Sequence, residues 1–260
     1  MTKIIYLKKE DIQYYDGYIE QDEAGLSTLV LTSLNGEEVD ERRPVNVFTG
    51  VDPASSTKKT ADFSVIFNIA IDDNNNRFVL PYYRKRAKPL SLADAIIRNF
   101  KNYRSSKTRI ESVGYQEMLR QYIKEESEKL GLFIPGLEIK ENPRTRKSYR
   151  LESLQPLFAN RKVYINKNMQ ALEDELLLYP RGKHDDLLDG FFYANKNSYR
   201  PSHTFTSAAP KKDSFHYRHK WRKGDRGMGD KRSTGLYALN DYQGPRRYLN
   251  RITIEGVALA

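Results

Sequence analysis

The chain has 260 residues, 38% hydrophobic and 12% aromatic with 18 Tyr and 11 Phe, enough for one sizeable core and an appendage. It has no Cys, which excludes disulfides and thiolate metal sites and leaves oxygen or imidazole ligands for any metal. No apolar run reaches the roughly 18 residues of a bilayer span, and the N-terminus lacks the apolar segment of a signal peptide, so the expectation is a soluble, intracellular protein with no membrane partner.

The net charge of +10 is unevenly spread, with 5 Lys/Arg against 10 Asp/Glu in residues 1–43 and 13 against 5 in residues 200–260. A basic middle and tail suit a polyanion such as DNA, and the acids of the middle then stand out against a basic background. A basic balance that merely aids solubility is the plainer alternative.

Residues 1–43 alternate short apolar runs such as "STLVLTSL" with acidic clusters and read as a strand-bearing N-terminal extension or linker. From residue 44 three runs rich in Val, Ile, Phe and Tyr follow, "PVNVFTGVDPA", "DFSVIFNIAID" and "RFVLPYYRKRA". The turn-rich "SSTKKT" and "DDNNN" join them, which predicts an antiparallel meander. "SLADAIIRNFKNYRSS" has apolar residues at three- and four-residue spacing behind Ser91, a candidate helix cap. The short strand "TRIESV" comes next, then an amphipathic helix over "YQEMLRQYIKEESEKLG" stopped by Gly131, then a strand over "LEIKEN". "TRKSYRLESLQPLF" predicts a helix broken at Pro156, "RKVYIN" an edge strand, "MQALEDELLLYP" a helix ended by Pro180, and the residues from about 182 to 197 a last helix. The order implies an α/β fold, a mixed sheet of a three-strand antiparallel meander plus parallel strands flanked by helices, over residues 44–199. Residues 200–260 are rich in Pro, Gly, Ser, Lys and Arg without an apolar period and read as a basic, flexible C-terminal tail. Trp221 and its basic neighbours there could grip DNA or dock to a partner, or form a solvated terminus.

The acids carry the chemistry. Asp52 ends the first strand of the meander, Glu111 sits inside a short strand, and Asp185, Asp186 and Asp189 crowd the start of the last helix, where like charges repel. Asp189 shares a helix face with the other two, while Leu187, Leu188, Phe191 and Phe192 form a stripe that would dock the helix on the sheet. That docking would bring the acids to the strands bearing Asp52 and Glu111, where two hard cations, Mg²⁺ or Mn²⁺, would offset them and act on a phosphodiester. Taken singly, Asp185 also reads as a helix cap, Asp52 as a turn residue before Pro53, Glu111 as an exposed strand residue and His184 as a surface histidine.

"GVDPASSTKKTADFSVI", "IESVGYQEML", "NPRTRKSYRLESLQPLFANRKVYI" and "LEDELLLYPRGKHDDLLDGFFYA" follow one another in the order and spacing of the nuclease domain of large terminase subunits of tailed bacteriophages, which residues 44–197 resemble. The resemblance implies an RNase H-like fold, related to Holliday-junction resolvases. It implies a metal-dependent endonuclease that cuts concatemeric double-stranded viral DNA during packaging in the host cytoplasm, with a terminase ATPase component and a portal as partners. By position, Asp52, Glu111 and Asp186 match the family's catalytic metal ligands, and Asp189 and Asp185 are assisting ligands. Asp62 matches a recurrent acid of the loop or of the surroundings of the ligands. Lys147 and Arg150 match basic positions, and with Lys58, Lys59 and Lys183 are candidate DNA contacts. The sequence has no G-x-x-x-x-G-K-[ST] phosphate loop, so an ATPase motor is expected on another polypeptide or segment. The rivals are a junction resolvase of the same fold and a non-catalytic DNA-binding or motor-docking module.

Overall fold

Strands and helices arise where the apolar spacing predicts them, and the differences lie in their partners. The structure, a computed structural model, describes residues 7–22, 25–54, 63–111, 116–137, 147–182, 184–196 and 198–201. Lys58, Lys59, Asp62 and Lys183, most of the strand expected over 137–142, and the tail from 202 onward lie outside the described residues. Lys147 opens a helix, and of it only the backbone is described.

Among the described residues seven strands form one mixed sheet: β1 (Gln13–Gln21), β2 (Ser27–Leu34), β3 (Glu37–Asp52), β4 (Ser64–Ile71), β5 (Arg77–Lys85), β6 (Lys107–Ile110) and β7 (Val163–Ile165), in the order β2-β1-β7-β5-β4-β3-β6. β3, β4 and β5 are the expected antiparallel meander, while β6 runs parallel to β3 and β7 parallel to β5. β3 is long enough to serve two sets of partners, since Glu37–Val45 pairs with β2 and Asn46–Asp52 with β4. It therefore runs across the division expected between residues 43 and 44. β7, expected at an edge, lies between β5 and β1, because β1 adds to its free side through Gln13↔Tyr164 and Tyr14↔Ile165.

Among the described residues five α-helices cover the sheet: α1 (Pro89–Tyr103), α2 (Gln116–Lys129), α3 (Lys147–Ala159), α4 (Gln170–Leu178) and α5 (Asp186–Asn195). α1 starts ahead of Ser91, with Pro89 in its first turn, where its missing N–H goes unneeded and its fixed φ suits a helix. Pro156 lies inside α3 without ending it. The loss is one N–H bond near the C-terminal end, where the Pro156 carbonyl accepts from both the backbone and the side-chain amide of Asn160. No helix among the described residues is long and apolar enough to cross a membrane.

Strand alternation sorts the core. Phe48, Val65, Phe67, Ile69 and Val79 face α3, α4 and α5, while Val51 and Ile66 face α1 and α2. On the α1 side a buried polar tie, Thr49 Oγ1 to Asn68 Oδ1 at 2.8 Å and Asn99 Nδ2 to Asn68 Oδ1 at 2.9 Å, fixes the helix to β3 and β4. α5 is buried from Asp186 through Ala194, as a helix enclosed by other elements must be. It lies directly on the sheet because two glycines face each other. A Cβ on Gly50 would collide with the Gly190 carbonyl and the Ala194 nitrogen, and one on Gly190 would come within 2.8 Å of Val65 Cγ1. Gly50→Ala should therefore push α5 off β3 and cost about 1–3 kcal/mol or more in urea unfolding. An unchanged midpoint would contradict this seating.

Candidate metal centre

β3, β5 and β6 all point the same way, so their C-terminal ends share one edge of the sheet, and the acids gather there. The Glu111 N–H donates to the Val51 carbonyl at 3.0 Å, which sets Glu111 beside Asp52 at the ends of neighbouring strands. α5 crosses this edge and brings Asp189 and Tyr193, four residues apart and so on one face.

Glu111 is the hub, 8% exposed. It shares a side-chain hydrogen bond with Asp52, and its Oε1 accepts from the Tyr193 hydroxyl at 2.6 Å and from Arg150 Nη2 at 2.6 Å. Arg150 Nη1 lies 3.0 Å from Asp189 Oδ2, so one guanidinium bridges acids from β6's end and α5. Burial pushes the Asp52 carboxyl well above the usual carboxylate range, with Glu111, Asp189 and Asp186 adding to the shift. Burial pushes Glu111 the same way, but its bonds to Asp52, Tyr193 and Arg150 prevail and hold it below its ordinary value. The hydrogen bond thus joins a raised Asp52 carboxyl to a lowered Glu111 carboxyl. The Tyr193 hydroxyl is raised by burial and by its bond to Glu111, so it stays a donor.

Asp186 sits next to this group with its own partners. Its Oδ2 accepts from the Phe63 N–H at 3.4 Å and lies 3.7 Å from Arg84 Nη2 and 3.8 Å from His184 Nδ1. Glu175, buried on α4, forms an ion pair with Arg84 at 2.7 Å and accepts the Leu187 N–H at 2.9 Å. It therefore caps α5 from another helix and fixes the turn that carries Asp186. Asp185 is the residue before α5, and its side chain does not cap the helix. Its carbonyl accepts the Asp189 N–H at 3.0 Å.

Of the candidate residues, Asp52, Glu111 and Asp189 are drawn together, with Asp186 electrostatically linked to Asp52 and Asp185 at the margin. Arg150, expected among the phosphate contacts, is buried in this group. Tyr193, Glu175 and Arg84 were not among the candidates. Glu175 had a signal, an acid inside the apolar run "LEDELLLY" on a predicted helix, and Tyr193 had its four-residue spacing from Asp189. Among the described residues no three acidic or imidazole side chains are arranged to hold an ion as they stand. The donor set fits a hard divalent cation nonetheless: it is all oxygen, two of its acids, Glu111 and Asp189, meet one guanidinium, and Asp52 adjoins Glu111.

Glu175 has a measurable consequence. Burial lifts its carboxyl to about 7 against the pull of Arg84 and the Leu187 N–H. Its pKa is higher folded than unfolded, so its favourable contribution is whole below about 4.5 and is lost as pH rises through about 7. Glu175→Gln should flatten the fall of thermal stability between these pH values, a difference on the order of 2 kcal/mol. Parallel pH profiles for wild type and variant would contradict it.

A family model described as the terminase RNaseH-like domain matches residues 49–197. Comparison with curated proteins finds no match for the chain. Among solved structures, the large terminase nuclease of thermophilic phage G20c is 16% identical, with 73% of this chain and 96% of that one covered at a TM-score of 0.47. The same nuclease is also known with bound magnesium, zinc and cobalt. The P22 large terminase nuclease domain is 14% identical over 57% of this chain and 79% of that one, TM-score 0.43. The yeast mitochondrial Holliday junction resolvase Ydc2 is 16% identical over 56% and 76%, TM-score 0.36.

Proposed function

Because the chain belongs to the terminase RNase H-like domain family, matched over residues 49–197, we propose that it is a divalent-metal-dependent endonuclease that cuts double-stranded viral DNA during genome packaging. The observation that carries this reading is the joining of Asp52, Glu111 and Asp189 at one sheet edge, with Asp186 beside them. These carboxylates would hold Mg²⁺ or Mn²⁺. Asp52, which senses Glu111 and Asp189 as well as Asp186, would be among the ligands. Divalent ions bound there supply water activation and offset the charge that builds on the scissile phosphate.

The chain's own side chains do the rest. Tyr193 donates to Glu111 and fixes the orientation of its carboxylate. Glu175 holds the first turn of α5, and with it Asp186, against β5 through Arg84. A raised Asp52 carboxyl makes protons compete with metal there, so metal affinity should rise with pH. Basic residues around the edge, Arg86 and Lys85 at the end of β5 among them, would take backbone phosphates, with little sequence preference and an affinity that falls with salt. A terminase ATPase component that moves DNA and a portal that receives it would be the partners of this nuclease domain.

The reading is tested with supercoiled plasmid. Mn²⁺ or Mg²⁺ should give nicked and linear products, and EDTA should abolish them. Folded protein that leaves plasmid intact with either ion would overturn it. Preferential cutting of four-way junctions over linear duplex would assign the fold to resolution of junctions instead.

A further inference from the structure

The acid group already contains a cation. Arg150 is 7% exposed, and its guanidinium forks between acids from two elements, 2.6 Å from Glu111 Oε1 and 3.0 Å from Asp189 Oδ2. Its plane lies over Tyr193 at 5.2 Å and Phe192 at 6.0 Å. Nε is buried without a hydrogen-bond partner. Burial works against this charge, and Asp189 and Glu111 more than offset it, raising the guanidinium above its ordinary pKa. An arginine placed to meet DNA on the rim would keep its fork in solvent, whereas this one spends both ends on carboxylates that would otherwise repel.

We propose that Arg150 is a built-in counterion, which holds Glu111 and Asp189 together before a divalent cation binds and competes with that cation for the same two carboxylates. The inference rests on the metal-binding reading above. A divalent ion and a guanidinium cannot both take these oxygens at full contact. Two unit charges about 4 Å apart near a protein surface already repel by an amount that changes binding by orders of magnitude. Ion entry therefore breaks at least one arm of the fork, and the freed arm faces the edge where a phosphate would lie. The guanidinium keeps the metal-free site assembled and offsets part of its negative charge, at the expense of metal affinity.

The test compares Arg150→Met, neutral and of similar length, with Arg150→Lys and wild type, reading Mn²⁺ binding by calorimetry and melting temperature in EDTA and in Mn²⁺. The Met variant should melt lower in EDTA, bind Mn²⁺ about tenfold or more tightly, and gain more from the ion than wild type does. The Lys variant, one charge without a fork, should fall between. Equal or weaker Mn²⁺ binding by the Met variant would overturn the role of Arg150. Absence of Mn²⁺ binding in wild type and variants alike would overturn the metal reading itself, and the competition with it. Should the Met variant not fold, side-chain ¹⁵N spectra of wild type decide. The Arg150 guanidinium signal, identified by its loss in Arg150→Lys, should shift when Mg²⁺ replaces EDTA. A signal unmoved at saturating Mg²⁺ would overturn the proposal.

Discussion

Asp52→Asn is expected to lower plasmid cleavage by more than about 100-fold, since even partners outside the ligand shell cost 10- to 100-fold, while making the metal-free protein more stable. The two effects share one cause. Asp52 stands against Glu111, Asp189 and Asp186, and its carboxyl is raised by burial and by these acids. When Asp52 ionises, wild type bears the cost of a further negative charge among these acids, and the amide never acquires it. Stability that a raised carboxyl contributes is present at low pH and lost as pH rises through the folded value, so the advantage of the variant should grow with pH. In urea unfolding the difference between variant and wild type should therefore widen as pH rises. The amide can still hydrogen-bond to Glu111, so no hole is left. A variant that cleaves normally would remove Asp52 from the site, and one that is less stable at every pH would show that no charge surplus exists there.

Glu111→Ala should move stability the other way, by about 3–5 kcal/mol of destabilisation. This acid is the partner that makes two buried groups tolerable. Its Oε1 accepts from Arg150 and from Tyr193, and removal leaves the guanidinium with Asp189 and the phenol with no acceptor from Glu111. The cost is that of a buried charge and a buried hydroxyl whose partner is gone. A double-mutant cycle with Arg150→Met should recover a large part of it, because the guanidinium that loses Glu111 in the first change is removed by the second. Additive losses would contradict the bridging geometry. Two acids side by side on neighbouring strands are thus expected to have opposite signs in stability and the same sign in cleavage.

The meander and the acids at its ends were legible because their signals are local. Alternating Val, Ile and Phe runs separated by turn residues specify β3, β4 and β5, and an acid placed where such a run stops is an anomaly visible in one dimension. The stripe of Leu187, Leu188, Phe191 and Phe192 likewise implied that α5 lies on the sheet. Long-range partners were not legible. β1 flanks β7 across about 150 residues of chain, so "RKVYIN" looked like an edge, and nothing near it in sequence announces the neighbour. The use of β3 by two sets of strands is hidden for the same reason. For Arg150 the residue was seen and its direction was not. A basic side chain on a helix points to solvent by default, and only the arrival of Glu111 and Asp189 from distant elements gives it a reason to turn inward. Gly50 and Gly190 appeared as ordinary glycines, and their purpose follows from a helix-to-sheet distance that only the packed structure defines.

The most direct measurement is anomalous diffraction from a crystal soaked in Mn²⁺. The account predicts anomalous peaks within coordinating distance of Asp52, Glu111 and Asp189, with the guanidinium of Arg150 displaced from at least one of the two carboxylates it bridges in the metal-free protein. A well-ordered crystal with no peak at this edge, and Arg150 still forked between Glu111 and Asp189 at saturating Mn²⁺, would contradict it.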